Sequence, residues 1–156
     1  MICHLIAVGT RMPAWINAGF NEYTSRLPKH FQLLLHEIPL QKRTKNSDLT
    51  RLIQQEGRQM LASVPVNTII IALDVQGRIF TTEQFSQQLN HFYQSSQDIA
   101  ILIGGPEGLE PECLLRANAR WSLSSLTFPH ALVRVIFAEQ FYRAWSIISG
   151  HPYHRD

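Results

Sequence analysis

The stretch Ile99-Ala-Ile-Leu-Ile-Gly-Gly-Pro-Glu-Gly108 joins a run of five apolar residues directly to a turn that contains three glycines. A short apolar run that ends in glycine and proline is typical of a buried strand. Glycine after a strand lets a ligand approach the backbone, although it is also the commonest way to make a turn. The spacing matches neither the dinucleotide fingerprint nor the phosphate loop, so it favours a ligand held by main-chain contacts over a di- or triphosphate.

Strands alternate with helices on both sides of this stretch. Apolar or β-branched runs predict four further strands, at 2–8, 31–38, 68–73 and 121–123. Helical patterns occupy 13–27, 47–61, 81–93, 112–118 and 130–149. We predict that the strand at 68–73 closes at Asp74, with Gly77 in the following turn. The alternation, without a repeat or a linker, predicts one α/β domain over 1–156 with a mostly parallel sheet.

Composition narrows the class of protein. Hydrophobic residues make up 45% of the 156 residues and charged residues 17%, which is typical of an ordered globular domain. No apolar run approaches the roughly 20 residues of a membrane span, and the first residues lack a basic signal region, so we expect a cytoplasmic protein with no membrane contact. Cys3 and Cys113 suggest neither a disulfide framework nor a metal site, and the formal charge of +2 permits nucleic-acid binding without requiring it.

Three predicted strand ends carry unusual sequences: Leu73-Asp74, then Gly104 to Gly108, then Leu123-Ser-Ser-Leu-Thr-Phe-Pro129. Ligands of open parallel sheets bind beyond the carboxyl ends of the strands. Glycine amides and serine or threonine hydroxyls at such ends can bond the edges of a nucleoside. We therefore expect the three segments to enclose one cavity.

Three motifs in order carry a resemblance to a known family. They are Ile103 to Gly108, Trp121 to Arg134, and Glu139 to Trp145 together with the final His-Pro-Tyr-His-Arg. Together they resemble the ribosomal RNA large-subunit methyltransferase H family, a minimal branch of the SPOUT (α/β-knot) methyltransferases. The similarity runs from Val8 to the last residue, which is essentially the whole chain.

The resemblance implies a fold, an activity and a cofactor. Members of this family transfer a methyl group from S-adenosylmethionine to N3 of a pseudouridine in 23S rRNA of the assembled ribosome. Their C-terminal part forms a trefoil knot, and in their homodimer the tail of one subunit lies near the cofactor of the other. The cofactor residues predicted from position and from the glycine turn are Leu73, Gly104, Gly105, Gly108, Leu123, Ser124, Ser125, Leu126, Thr127 and Phe128.

Methylation of a pseudouridine N3 requires loss of its proton, through a general base or through stabilisation of the resulting anion. The candidates for these roles are Glu139, Arg143, Tyr153, His154 and Asp156. We predict that Glu139, Arg143 and His154 are catalytic. Glu139 and Arg143 are four residues apart, so a simple ion pair on one helix face is the alternative. His154 fits either a base or a hydrogen-bond donor to RNA.

Several basic or aromatic residues are candidates for RNA contact. We predict this role for Arg134, Tyr153 and Arg155, although a surface ion pair explains Arg134 equally well. The loop Lys42-Arg43-Thr44-Lys45 is a further candidate for phosphate contact, and a solvated loop is its alternative.

The last predicted helix, 130–149, is apolar on almost every side. This pattern favours a homodimer, with a core helix of a monomer as the alternative. Two other functions also remain open: a non-catalytic RNA- or ribosome-binding module that keeps the knot fold, and a flavodoxin-like enzyme that binds a nucleotide.

Overall fold

The computed structural model describes residues 1–155 and shows five strands alternating with five helices. The elements are β1 (Ile2–Val8), α1 (Ala14–Thr24), β2 (Gln32–Ile38), α2 (Leu49–Ala62), β3 (Ile69–Ile79), α3 (Thr82–Gln94), β4 (Ile99–Ile103), α4 (Pro111–Arg116), β5 (Ala119–Ser122) and α5 (His130–Ser149). All five strands are parallel, in the order β2-β1-β4-β3-β5. The predicted α/β class and parallel sheet are confirmed.

Helices cover both faces of the sheet. On one face α5 lies between α1 and α3, over a core that includes Leu5, Phe31 and Phe137. On the other face α2 contacts α4, over a smaller core around Ile6, Met60 and Cys113. Burial on both faces explains why the central strands are continuous apolar runs instead of alternating patterns.

Two helix starts follow from their capping residues. The Asp48 side chain accepts a hydrogen bond from the Arg51 amide, at 3.2 Å, and begins α2. At the start of α3, Thr81 accepts from the Gln84 amide at 3.2 Å and Gln84 accepts from the Thr81 amide at 3.1 Å. These reciprocal bonds form a capping box.

β3 is longer than the sequence predicts. The strand does not close at Asp74 but continues to Ile79, and its pairing with β5 shifts between Leu73 and Arg78. Gly77 lies against the Trp121 backbone, where an added Cβ would be 2.5 Å from the Trp121 carbonyl carbon. The irregularity therefore depends on a residue without a side chain, which lets the strand continue past the bulge.

The last helix is a core element of the single chain. None of the residues from 131 to 148 is exposed, and Phe137, Phe141 and Ala144 are fully buried. This observation supports the core-helix alternative as the explanation of the apolar pattern. The homodimer therefore rests on the resemblance and not on this pattern.

Candidate functional site

A cavity of about 610 Å³ lies between the bulge in the middle of β3 and the carboxyl ends of β4 and β5. Leu73 and Asp74 line it from β3, the glycine turn from β4, and the segment after β5 from the third side. The first turn of α5 closes it with His130 and Val133. Its volume lies within the range of roughly 300–1,000 Å³ that is usual for small-molecule sites. The three predicted segments thus enclose one cavity, although Leu73-Asp74 lies at the bulge within β3 and not at a strand end.

The glycine turn has a backbone shape that excludes side chains at two positions. The Gly108 amide donates to the Gly105 carbonyl, at 3.0 Å, which places Pro106 and Glu107 at the corner of a β-turn. Gly108 has a φ of 87°, which favours glycine. A Cβ on Gly104 would lie 2.3 Å from the Gly108 carbonyl carbon, because the turn folds back against Gly104. The result is a cavity wall made of main chain.

The segment after β5 is shaped by serine hydroxyls. Ser122 donates to the Ser124 carbonyl at 2.9 Å, and Ser124 accepts from the Leu126 amide at 3.0 Å. These local bonds turn the chain so that Leu123, Leu126 and Phe128 face the cavity. This wall combines apolar side chains with main-chain polar groups.

A second cavity of about 320 Å³ adjoins the first and shares Leu73, Trp121 and Phe128 with it. It extends between α3 and α5 and reaches Gln140. The Gln140 amide donates to Glu139 at 2.6 Å, so the two cavities lead towards the predicted catalytic residues without including them.

The predicted catalytic residues form one cluster between α5 and the tail that follows it. Arg143 donates to Glu139 from Nε, at 2.9 Å, and from Nη2, so the ion pair named as the alternative to a catalytic role is present. Arg143 Nη1 lies 3.3 Å from His154 Nδ1, and the Tyr153 hydroxyl donates to Glu139 at 3.1 Å. Arg143, His154 and Glu139 are absent from the residues that line either cavity, and Asp156 lies outside the described residues.

Electrostatics bind this cluster together. The hydrogen bond to Glu139 raises the pKa of Arg143, which stays charged. Burial, together with the bond to Glu139, raises the pKa of Tyr153 to about 12. The Arg143 guanidinium carbon also lies 4.9 Å from the centre of the Tyr153 ring. The tail is therefore held against α5 by one carboxylate and one cation.

The comparisons with known proteins agree with this architecture. The family described as "Predicted SPOUT methyltransferase" matches residues 1–154. The chain belongs to this SPOUT methyltransferase family. It is similar to the "Ribosomal RNA large subunit methyltransferase H" of Thioalkalivibrio sulfidiphilus (strain HL-EbGR7), with 55% identity over 100% of both chains. The protein of the same name from Hahella chejuensis (strain KCTC 2396) is 51% identical over 97% of each chain. The resemblance stated from the motifs is confirmed.

A solved structure of low sequence identity shares the fold. A methylase family protein from Haemophilus influenzae Rd KW20 matches 99% of this chain and 70% of its own chain, with a TM-score of 0.57 and 11% identity. At that identity the match shows the fold alone.

Every predicted cofactor residue except Ser125 lines the larger cavity. Their role in binding stays a prediction. The larger cavity is also lined by residues that were not predicted as cofactor contacts, among them Val75, Ile103, Leu109, Ser122, Pro129 and Val133. Nearness to the three strand ends could have indicated most of them. His130, the first residue of α5, lines the cavity too, and burial and the nearby Arg134 lower its pKa.

Arg134 is not on the surface. Its side chain is 1% exposed, with Nη1 donating to Glu37 at 2.7 Å and Nη2 donating to the carbonyls of Val8, at 3.0 Å, and Gly9, at 2.6 Å. This burial argues against the RNA contact predicted for Arg134, because phosphate cannot reach the guanidinium. The ion-pair alternative is the better explanation.

Arg43 also differs from its expected role. It pairs with Glu56 and Glu107, whereas its neighbours Lys42 and Lys45 are exposed. Arg43 is therefore bound within the protein. Of the other predicted RNA contacts, Arg155 is exposed and Tyr153 is partly buried.

No helix within residues 1–155 is both long enough and apolar enough to cross a membrane. Among the same residues, no three His, Cys, Asp or Glu side chains are grouped as metal ligands.

Proposed function

We propose that this chain methylates N3 of a pseudouridine in 23S rRNA of the assembled ribosome, with S-adenosylmethionine as the methyl donor, and that it works in the cytoplasm. The single observation that carries the proposal is the cavity that Leu73-Asp74, the glycine turn and the segment after β5 enclose in a SPOUT fold. The names of the relatives support the class of substrate RNA, and the family resemblance supplies the nucleoside and its reacting atom.

The cavity fits a nucleoside sulfonium by its chemistry. Main-chain groups of the glycine turn, where a Cβ on Gly104 would collide with Gly108, leave space and hydrogen-bonding groups for a nucleoside edge. Leu73, Leu123 and Phe128 provide apolar contact for the remainder. Bound S-adenosylmethionine supplies an electrophilic methyl group. The role of the lining residues is to fix its position and exclude water.

The acceptor side of the reaction needs a group that receives or compensates the N3 proton. Glu139 already accepts from Arg143, Gln140 and Tyr153, which makes it a poor base. We therefore assign stabilisation of the developing anion to the Arg143 cation and proton transfer to His154.

These two residues do not line the cavity of their own chain. We infer that a homodimer completes the site, with the tail cluster of one subunit facing the cavity of the other. The ordered packing of Tyr153 on Tyr142, with ring centres 4.8 Å apart, supports a tail that is prearranged for this task.

Calorimetric titration with S-adenosylmethionine and S-adenosylhomocysteine tests the donor site. We expect both to bind, and mass spectrometry of ribosomes incubated with the enzyme and donor should show one added methyl group at a pseudouridine. Ribosome binding without affinity for either compound would favour the non-catalytic module. Binding of a flavin or nucleotide instead would refute the methyltransferase proposal.

The shared site has its own test. Gly104→Ala is expected to disable the cavity and Arg143→Ala the tail cluster. Because the two changes affect different halves of a composite site, mixing the two inactive variants should restore part of the activity through mixed dimers. If light scattering shows a dimer but mixing restores nothing, each subunit must contain a complete site.

A further inference from the structure

Arg43 joins three separate segments of the chain. Its five recorded hydrogen bonds match the five N–H groups of a guanidinium. Nη1 donates to the Gln41 carbonyl at 2.6 Å and to Glu56 at 2.5 Å, and Nη2 donates to Glu56 at 3.2 Å. Nε and Nη2 also donate to the two oxygens of Glu107, at 3.2 and 2.7 Å. The side chain thus has no donor left for an RNA phosphate.

The carboxylates that hold Arg43 have different surroundings. Glu56 is 4% exposed on α2 and also accepts from the Gln41 amide at 2.8 Å, so it anchors Arg43 to the body of the protein. Glu107 is the corner residue of the glycine turn, and hydrogen bonding to Arg43 lowers its pKa. Arg43 therefore connects the buried Glu56 of α2 with a surface turn, and surface turns are generally more mobile than helices.

α2 also packs against the chain just after the glycine turn. Gly57 of α2 lies against Glu110, where an added Cβ would be 2.7 Å from the Glu110 Cβ. Pro106, Glu107 and Gly108 at the tip are exposed by comparison. The bond from Arg43 to Glu107 is thus the contact that fixes the exposed tip of the turn to α2.

We propose that Arg43 is a positioning residue that holds the turn 104–108 in its ligand-binding shape through Glu107. The inference rests on the proposed function, because it takes the turn as the wall of a methyl-donor site. A turn that is already fixed loses less conformational freedom when the ligand binds, so the connection improves donor affinity without touching the donor.

The most specific test removes only the contact between Arg43 and Glu107. Glu107→Ala leaves Arg43 paired with the buried Glu56, so the fold should keep its melting temperature. We expect the Kd for S-adenosylhomocysteine and the KM for S-adenosylmethionine to rise roughly three- to tenfold, the range of one partly exposed charge-assisted contact. The kcat and the KM for ribosomes should stay unchanged. Glu107→Gln, which keeps one acceptor oxygen, should lie between Glu107→Ala and the unaltered protein.

Controls separate this role from the alternatives. Glu112→Ala removes an exposed carboxylate outside the Arg43 network and should leave the Kd unchanged. Arg43→Met should weaken donor binding as Glu107→Ala does, but with a lower melting temperature, because it leaves Glu56 without its cation. Unchanged donor affinity in Glu107→Ala would overturn the inference, and so would an Arg43→Met variant in which only the KM for ribosomes rises. If the unaltered protein itself does not bind S-adenosylhomocysteine, the proposed function fails as well, and that result is seen before any variant is made.

Discussion

Along the carboxyl side of the sheet, one half is open to a ligand, and the other half is filled by a side chain. The open half is the side of β3, β4 and β5, where the glycine turn 104–108 and the segment after β5 border the cavity. Beyond β1 and β2 the equivalent space holds the Arg134 side chain, whose Nη atoms bond Glu37 and the carbonyls of Val8 and Gly9. One parallel sheet therefore offers ligand space only where no side chain occupies the strand ends.

The two halves make opposite demands on the chain. In the open half, polar main-chain groups are left for a ligand. In the filled half, a buried cation satisfies main-chain carbonyls that water cannot reach, and it requires a carboxylate partner in return. We infer that substitutions in the filled half change stability, whereas substitutions in the open half change binding and rate.

Arg134→Met should have the largest effect on stability. It removes the cation and leaves Glu37 and two buried carbonyls without their donor, at a cost of about 3–5 kcal/mol in the free energy of unfolding. Urea denaturation measures the change. Arg26→Met is the matched control, because the Arg26–Glu22 pair is exposed on α1 and such pairs contribute less than about 1 kcal/mol. Equal losses in the two variants would remove the distinction between the filled half and an ordinary surface.

Arg143→Ala should have the largest effect on rate. Loss of a cation that stabilises the developing anion lowers the rate of ribosome methylation by roughly 100-fold, while the Kd for S-adenosylhomocysteine stays near that of the unaltered protein. Single-turnover assays and calorimetry measure the two quantities. Arg58→Ala, exposed on α2, serves as the control and should retain full activity. Full turnover by Arg143→Ala would exclude Arg143 from the reaction.

Two neighbouring glycines test the open half more finely. A methyl group on Gly104 would meet the Gly108 backbone at 2.3 Å, whereas one on Gly105 would meet the Val8 side chain at 3.3 Å. Backbone cannot yield as a side chain can, so Gly104→Ala should weaken S-adenosylhomocysteine binding at least about tenfold and Gly105→Ala only slightly. Calorimetry of the pair decides the matter. Equal binding by both variants would mean that the turn does not shape the site.

The sequence predicted the open half far better than the filled half. Strand ends, glycines and capping residues are local signals, so β4 and its turn could be placed from a few adjacent residues. The partners of Arg134 and Arg43 are distant in the chain: Glu37 lies 97 residues from Arg134, and Glu107 lies 64 residues from Arg43. The sequence near each arginine gives no sign of a carboxylate partner that is so distant. Both arginines were therefore expected to be exposed and to contact RNA.

The extension of β3 was hidden for a related reason. Asp74 and Gly77 are ordinary turn residues by local chemistry, and the Asp74 side chain does accept from the Gln76 amide at 2.7 Å. Pairing with β5 nevertheless continues the strand to Ile79. The Trp121 backbone that Gly77 must accommodate lies 44 positions further along, beyond any local pattern.

The smallest effect concerns acid and again belongs to the filled half. His4 of β1 is nearly buried, and its Nδ1 lies 2.9 Å from His36 Nε2 of β2. Burial, with the neighbouring His36, lowers the pKa of His4, while Asp98 opposes the shift. The folded protein therefore favours neutral His4, whereas the unfolded chain takes up a proton near pH 6.5.

It follows that His4 contributes full stability above about pH 6.5 and loses it progressively as the pH falls below that value. Between pH 7.5 and pH 5.5 we expect the melting temperature to fall further in the unaltered protein than in His4→Gln. His91→Gln, which changes an exposed histidine on α3, should reproduce the behaviour of the unaltered protein. If His4→Gln loses as much stability in acid as the unaltered protein does, the acid sensitivity arises elsewhere. His130, at the wall of the cavity, is then the next residue to replace, because burial lowers its pKa as well. Loss of the acid sensitivity in a His130 variant would assign the effect of acid on stability to the open half, and it would reverse this part of the contrast between the two sides of the sheet.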